Sequence, residues 1–502
     1  MEYEEIMQRY DRLLKEPVRL IRRDRMEKVL KKYHEGRPNS ERLYDRARKI
    51  IPGGVEHRLA FNYPFPLVSK KVDGCYLWDV DDNRYVDLLM CGGPVILGHN
   101  YPPFIEKIME VLKTKGPCCG ITDEYELEAG ELIRKHMPSC EQVRFFQSGT
   151  EADMAAIRVA RVYKSYLANK GKWLADKKSL LANVINYLRM YMDRRYIIKV
   201  GAGYHGWSSE LVYDMHIPGT GAFESHGIPF NVLQKTRSVY PNDLEGLEKK
   251  MKKYGSRGGV AAVIVEPNGG GGGTWPVKPG FNQGVRELCD RYGALLIFDE
   301  VLTGFRLTLG GGQNYYRVKP DLTILGKIIG HGFPSAGAVG GRKDIMNHFS
   351  ASDDRETAEH GKKRVFVGGT LAANPLTTAA CYWSLKLIEE TNAVDQAARA
   401  GDRLTKGLMD IFRKYDLPYF AYNFGSILHI ETSGLLHLNP RDKKFFEKLE
   451  VRMRCMREFS AALITEGILV MAGSRGYTSM AHTDDVVDTT LEAFDRICSW
   501  VE

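Results

Sequence analysis

No stretch of this chain stays apolar for the roughly 18 to 20 residues that a membrane-spanning helix requires, so no membrane partner is expected. The nine cysteines are scattered without a C-x-x-C pair, which argues against a zinc site or a disulfide framework and leaves reduced thiols and no metal. The first residues, MEYEEIMQRY, are acidic and lack the short apolar core of a secretory signal, so a cytoplasmic protein is expected. Nor does one charge dominate: 71 Lys and Arg against 63 Asp and Glu give +8 over 502 residues. The basic run VRLIRRDRMEKVLKKYHEGR spaces its cations between Val, Leu and Ile at helical intervals, without an aromatic or zinc-finger companion. It reads as a solvated amphipathic helix, and no nucleic-acid partner is expected.

What is present is an ordinary globular composition, 43% hydrophobic and 27% charged, in a chain long enough for a large domain with an appended lobe or for two to three domains. Residues 1–50 read as a helical extension broken at Pro17 and GRPNSE, with Ser40 placed to cap ERLYDRARKI. Residues 51–115 begin a smaller domain; GCYLWDVDDNRYVDLL holds two apolar runs around Asp81, Asp82 and Asn83, a hairpin signal. Residues 116–370 alternate helices with the buried-looking strands QVRFFQ, YIIKVGA, VAAVIVEP, ALLIFDE and DLTILGK. That alternation predicts an α/β fold with a mostly parallel central sheet flanked by helices. Residues 371–502 are mainly helical, with GSILHI and ILVMAG expected to pair and TDDVVDTTLEAFDRICSW as a terminal helix. The run NGGGGGTWP is either a flexible loop or a close backbone approach to a ligand or neighbouring subunit, since glycine permits both.

Polar residues fall at the carboxyl ends of these strands, where ligands sit in an open parallel sheet. After QVRFFQ, Ser148, Gly149 and Thr150 lead into a helix, offering backbone N–H groups to a phosphate or simply capping the helix. After ALLIF, Asp299 enters the core, where a carboxylate requires a partner; the alternatives are capping the following helix or pairing with Arg306. After DLTILG comes Lys327, among apolar residues and glycines. Desolvation there favours a neutral amine able to attack a carbonyl, whereas a lysine after a strand otherwise snorkels to solvent. A phosphate cradle, a buried carboxylate and a desolvated lysine together describe a pyridoxal 5'-phosphate site. The interval from Asp299 to Lys327 fits one βαβ step of about 30 residues, which sets both near the same ring.

The ordered series YVDLLMCGGPVILGHN, FFQSGTEADMAAIRVAR, GYHGW, VIVEPN, LLIFDEVLTGFR, ILGKIIGHGFPSAGAVGG and GGTLAANP resembles the class III aminotransferases of fold type I. Within them it is similar to the branch of glutamate-1-semialdehyde aminomutases and β-amino-acid aminotransferases. The resemblance implies a large PLP-binding domain, a smaller α+β domain built from both chain ends, and a homodimer with shared active sites. It casts Lys327 as the internal-aldimine lysine and Asp299 as the partner of the pyridine nitrogen, the two catalytic residues. Val301 would pack on one ring face and Tyr204 near the other; Ser148, Gly149 and Thr150 would form the phosphate cup. Thr370 would reach the phosphate from the neighbouring subunit, and Glu266 matches an acidic position near the cofactor. Arg58 is the candidate for a substrate carboxylate, against a plain surface arginine; Arg475 is a second such contact or a rim charge.

Two departures bear on the activity. Leu302 stands where many ω-aminotransferases carry a glutamine, which draws the chain toward the mutase and β-amino-acid branch. Residues 473–476, Gly-Ser-Arg-Gly, stand where the mutases have an acidic residue. The expected activity is therefore transfer of an amine from an amino acid, including one whose amine is off the α carbon, to a keto acid. The alternatives are an intramolecular aminomutase of the glutamate-1-semialdehyde type and a racemase or epimerase on the same site.

Overall fold

The computed structural model describes residues 1–57, 62–168, 196–216, 218–221, 224–334, 336–350, 365–440 and 442–502, with 179, 181, 184, 185 and 188. These form two compact units, Met1–Glu106 with Leu387–Glu502, and Lys107–Lys386. The chain crosses between them within the helices Pro102–Lys115 and Pro375–Glu390, where sequence texture placed the breaks at 115/116 and 370/371. A helix looks the same in sequence whichever unit its ends belong to. Among the described residues, no helix is long and apolar enough to cross a membrane.

The N-terminal extension consists of the helices Tyr3–Lys15, Arg23–Glu35 and Pro38–Ala47. Ser40 does not cap the third, because Pro38 already opens it; Asp81 accepts instead from the N–H groups of Asn39 and Ser40, at 2.8 and 2.9 Å. The first two helices bury Ile6, Tyr10, Leu13, Met26, Val29 and Tyr33 in one core with Leu404, Leu408, Phe412, Phe420, Phe459 and Phe494. An isolated bridge pairs Ile21 with Val501, flanked by hydrogen bonds from Arg22 to Trp500 and from Glu502 to Leu20. The strands β1 (Ser69–Asp73), β2 (Tyr76–Asp79) and β3 (Arg84–Asp87) follow as an antiparallel set, with the expected hairpin between β2 and β3.

In the second unit, β4 (Gln142–Phe146), β5 (Tyr196–Val200), β6 (Thr236–Val239), β7 (Val260–Val265), β8 (Leu295–Asp299), β9 (Leu322–Gly326) and β10 (Gly337–Gly341) form one sheet, ordered β4-β10-β9-β8-β7-β5-β6. Only β10 runs against its neighbours, so the sheet is mostly parallel. β5, β7, β8 and β9 are buried along their whole length, as a parallel sheet covered on both faces requires. The period of two sorts their side chains. Ile264, Ile297 and Ile324 pack with the Gly149–Ala168 helix, whose Ala152, Ala155, Ala156 and Ala160 let it lie close to the sheet. Val263, Leu296 and Phe298 pack on the opposite face with Leu247, Val285 and Leu288.

Back in the first unit, β11 (Phe420–Phe424), β12 (Ile427–Glu431) and β14 (Arg475–Tyr477) form a three-stranded sheet. The expected pairing of GSILHI with ILVMAG does not occur: β13 (Ile468–Leu469) instead extends the β1–β3 sheet, parallel to β3. Two short apolar strands carry no information about which sheet edge each will join.

Candidate active site

The parallel strands β4, β5, β7, β8 and β9 point the same way, so the residues after them share one edge of the sheet. There lie Ser148–Thr150, Gly201–His205, Glu266, Asp299 and Lys327. Asp299 and Glu266 continue the alternation of Ile297 and Ile264, which puts both on the side of the Gly149–Ala168 helix. Asp299 faces Ile324 across the β8–β9 pair, and Lys327 follows three residues later.

Val301 ties the parts together. A Cβ on Gly149 would stand 2.9 Å from its Cγ2, and one on Gly326 would stand 3.2 Å from its Cγ1. The valine therefore fills the space between the start of the helix and the residue before Lys327, which explains glycine at both positions. Thr150 in turn lies against Gly206 of the GYHGW loop. Lys327 itself is half-buried and has φ of 48°, a left-handed conformation that a lysine holds only where surrounding structure enforces it.

Asp299 is 3% exposed. Its Oδ1 accepts the Val301 N–H at 3.0 Å, and its Oδ2 lies 2.7 Å from Nδ1 of the fully buried His205. Burial lowers the His205 pKa, while the Asp299 carboxylate pulls it up less strongly. A neutral imidazole donating from Nδ1 to the carboxylate forms this bond, while its Nε2 is buried without a hydrogen-bond partner among the described residues. His205 was not singled out in the sequence, although it directly follows Tyr204 in GYHG. A second unanticipated group is Asp153, 1% exposed among the buried Ala152, Ala155, Ala156, Ile157 and Ala160 of the same helix. A carboxylate amid an alanine row was the signal available in SGTEADMAAIRVAR.

Glu266 builds the wall beside this pair. Its carboxylate accepts from the N–H groups of Tyr204 at 2.6 Å, Gly272 at 3.1 Å and Gly271 at 3.3 Å, while burial and Asp299 push its pKa up to about 7. Here the glycine run finds its use. Gly271 and Gly272 have φ of 64° and 67°, turning their N–H groups toward one acceptor, and a Cβ on Gly270 would strike the backbone of Ala202. The close approach is thus to the chain's own Glu266 and GYHG loop. Tyr204 is 53% exposed above it.

The adjacent Glu300 turns away and is saturated by Thr303, Gly312 and Gln313 at 2.7, 2.6 and 2.9 Å. The most deeply buried lysine at this edge is not Lys327 but Lys199, fully buried, with its pKa lowered to about 8 by desolvation. Its Nζ donates to the carbonyls of Gly203, Leu211 and Tyr213 at 3.0, 3.0 and 2.8 Å, holding the loop that carries Tyr204 and His205. Burial alone would thus single out Lys199, whereas position directly after a strand singles out Lys327.

Thr370 is exposed in a cleft of about 700 Å³ walled by Gln142–Phe146 and Cys119–Thr122. Arg475 belongs to the other unit, opposite His429 in the β12–β14 register, where its charge acts on Glu431 and Tyr422. Arg58 lies outside the described residues.

The family model of the class-III aminotransferases matches residues 60–497. The chain is 34% identical over 462 residues to a glutamate-1-semialdehyde 2,1-aminomutase of Methanothrix thermoacetophila, covering 91% of this chain and 95% of that one. It is 35% identical over 468 residues to the protein of the same name from Nitrosospira multiformis, covering 91% and 98%. Among solved structures it is similar to an omega-transaminase from Sphaerobacter thermophilus, with TM-score 0.77, 29% identity and coverage of 92% and 97%. It is similar also to a beta-phenylalanine aminotransferase from Variovorax paradoxus, with TM-score 0.74, 26% identity and coverage of 94% and 96%. With a family model spanning most of its length and a mostly parallel sheet of the fold type I kind, the chain belongs to the class-III aminotransferases.

Proposed function

We propose that this protein transfers an amino group from an amino acid, one with its amine off the α carbon included, to a keto acid. The observation that carries the proposal is the meeting of Ser148–Thr150, Val301, Asp299 and Lys327 at one sheet edge. Pyridoxal 5'-phosphate is the cofactor of this enzyme, and when bound it supplies an aldehyde that carries the amine and a ring that accepts electrons. The residues fit it: a helix start packed through Gly149 against Val301, a buried carboxylate backed by an imidazole, and a lysine on the neighbouring strand end.

Backbone N–H groups at Ser148, Gly149 and Thr150 would hold the phosphate. Asp299, aligned by His205, would keep a proton on the ring nitrogen; Val301 would support one ring face and Tyr204 would stand near the other. Glu266 holds the Tyr204 loop in place rather than acting on the substrate. The Lys327 amine, once displaced by an incoming amino acid, would take the proton from the substrate carbon and return it, as a general base and then acid. Arg58 and Arg475 are proposed contacts for substrate carboxylates. Thr370, exposed in its cleft, would serve the site of a second subunit in a homodimer.

A second reading is favoured by the aminomutase names of the relatives at 34% and 35% identity: the amine moves within one substrate skeleton. Incubating the purified protein with α-, β- and ω-amino acids, with and without an added keto acid, separates the two. Amine transfer requires the acceptor; conversion of a single amino-aldehyde without one would replace the first reading by the second. In either case Lys327→Ala should abolish turnover, and an active variant would overturn the lysine assignment.

A further inference from the structure

Three carboxyl groups and one lysine are buried around His205. Asp299 accepts from His205 and Val301, and Glu266 accepts three backbone N–H groups. Lys199 spends its three hydrogens on carbonyl oxygens. Asp153 has no such support: its Oδ1 is buried with no hydrogen-bond partner among the described residues, and the same holds for Nε2 of His205. One carboxyl oxygen of Asp153, one ring nitrogen of His205 and one carboxylate oxygen of Asp299 all lie within 4.8 Å of one another.

With the fully buried Asp214, the carboxylate acting most strongly on Lys199, four carboxylates, a neutral imidazole and one ammonium would carry three uncompensated negative charges, at a cost that burial makes prohibitive. The acid with the fewest donors is the one that keeps its proton. We propose, on the reading above, that Asp153 is a positioning residue of the ring-nitrogen anchor: a neutral carboxylic acid whose O–H donates toward the His205–Asp299 pair, directly after a small rotation or through one water. A protonated Asp153 leaves Asp299 as the negative group at the ring nitrogen. It also supplies the pair with a donor that neither alanine nor an apolar side chain at this helix position provides. Burial and the neighbouring Asp299 and Glu266 all raise the Asp153 pKa, in agreement with the geometry.

The test uses holoenzyme at neutral pH. Infrared difference spectra of wild type against Asp153→Asn should show a protonated-carboxyl C=O band, sensitive to deuterium exchange, that the variant lacks. Asp153→Asn keeps a neutral donor and should retain the cofactor's visible spectrum and its dissociation constant within about threefold; Asp153→Leu, which loses one hydrogen bond, should weaken cofactor retention roughly tenfold. Absence of the band, or an Asn variant as impaired as the Leu variant, would show an ionised Asp153 and overturn the proposal. So would a Leu variant equal to wild type. Should Asp153→Leu fail to fold, the infrared comparison with Asp153→Asn still decides. A wild type that takes up no pyridoxal phosphate at all would defeat the functional reading instead, and the carboxyl band in that protein would still report on Asp153.

Discussion

Among the described residues, each unit of the protein buries one histidine–aspartate pair, and the two are nearly the same length: His205–Asp299 at 2.7 Å and His99–Asp87 at 2.8 Å. Their surroundings differ. Asp87 spends its other oxygen on the N–H groups of Leu89 and Met90, fixing the turn after β3. Asp299 stands at the end of a parallel strand beside an acid with an orphaned oxygen and an imidazole with an orphaned nitrogen. A buried His–Asp pair is therefore not a site by itself. What marks a site is polar capacity left unspent where the fold opens a ligand edge.

Replacing the two aspartates should separate these roles most widely. Asp299→Ala is expected to lower turnover by about 10²–10³-fold while the protein stays folded, the scale of losing a preorganised charge at a reacting centre. Asp87→Ala should instead cost about 3 kcal/mol in urea unfolding, because His99 and two backbone donors lose their acceptor, with cofactor affinity of the folded fraction unchanged. Equal effects of the two variants on both readouts would erase the distinction.

The contrast also bounds what sequence could reveal. The strands VAAVIV, LLIFD and LTILG are legible because burial on both faces writes continuous apolar runs, and Lys327 and Asp299 are legible because each interrupts such a run at its end. β10, GAVGG, is not: three of its five residues are glycine, one of them beside Ser148, and its place comes from pairing with β4 and β9. His205 lies 94 residues from Asp299, and nothing local announces the contact. Ser40 was misread as a cap for the same reason, since the acceptor for that helix start is 41 residues away. Partners at such distances are set by topology, not by pattern.

Acid titration should sharpen the comparison next. His482, packed near Asp87 and His99, has its pKa lowered to about 4 by burial. The unfolded chain binds this proton more readily, so the stability contribution is complete above pH 6.5 and is lost as pH falls from 6.5 toward 4. A depression of this size amounts to roughly 3 kcal/mol. Unfolding free energies measured against pH should show this slope in wild type and a flatter one in His482→Gln, while cofactor binding to the folded protein at neutral pH stays the same.

A finer test concerns the space beside the strand ends. Gly149→Ala should weaken cofactor affinity about tenfold by setting a methyl 2.9 Å from Val301, a typical overpacking cost, and Val301→Ala in the same chain should restore part of it. Lack of any such rescue in spectrophotometric titrations would mean that the valine does not link the helix start to the lysine strand. The smallest effect is expected from Tyr10→Phe, which removes the 3.1 Å hydroxyl contact with Tyr422 in the first unit. About 1 kcal/mol of stability should be lost in denaturant melts, without change at the cofactor.

The bridge between Ile21 and Val501 has a consequence in time. The helices Tyr3–Lys15 and Arg23–Glu35 leave the ribosome long before most of their partners, because the residues that cover Ile6, Tyr10, Met26 and Tyr33 are drawn largely from beyond position 400. At a synthesis rate of about 5–20 residues per second, that apolar stripe waits roughly half a minute to a minute and a half for its partners. During this interval the nascent chain displays two greasy amphipathic helices, and chaperone demand in the cell should fall on them rather than on the seven-stranded sheet.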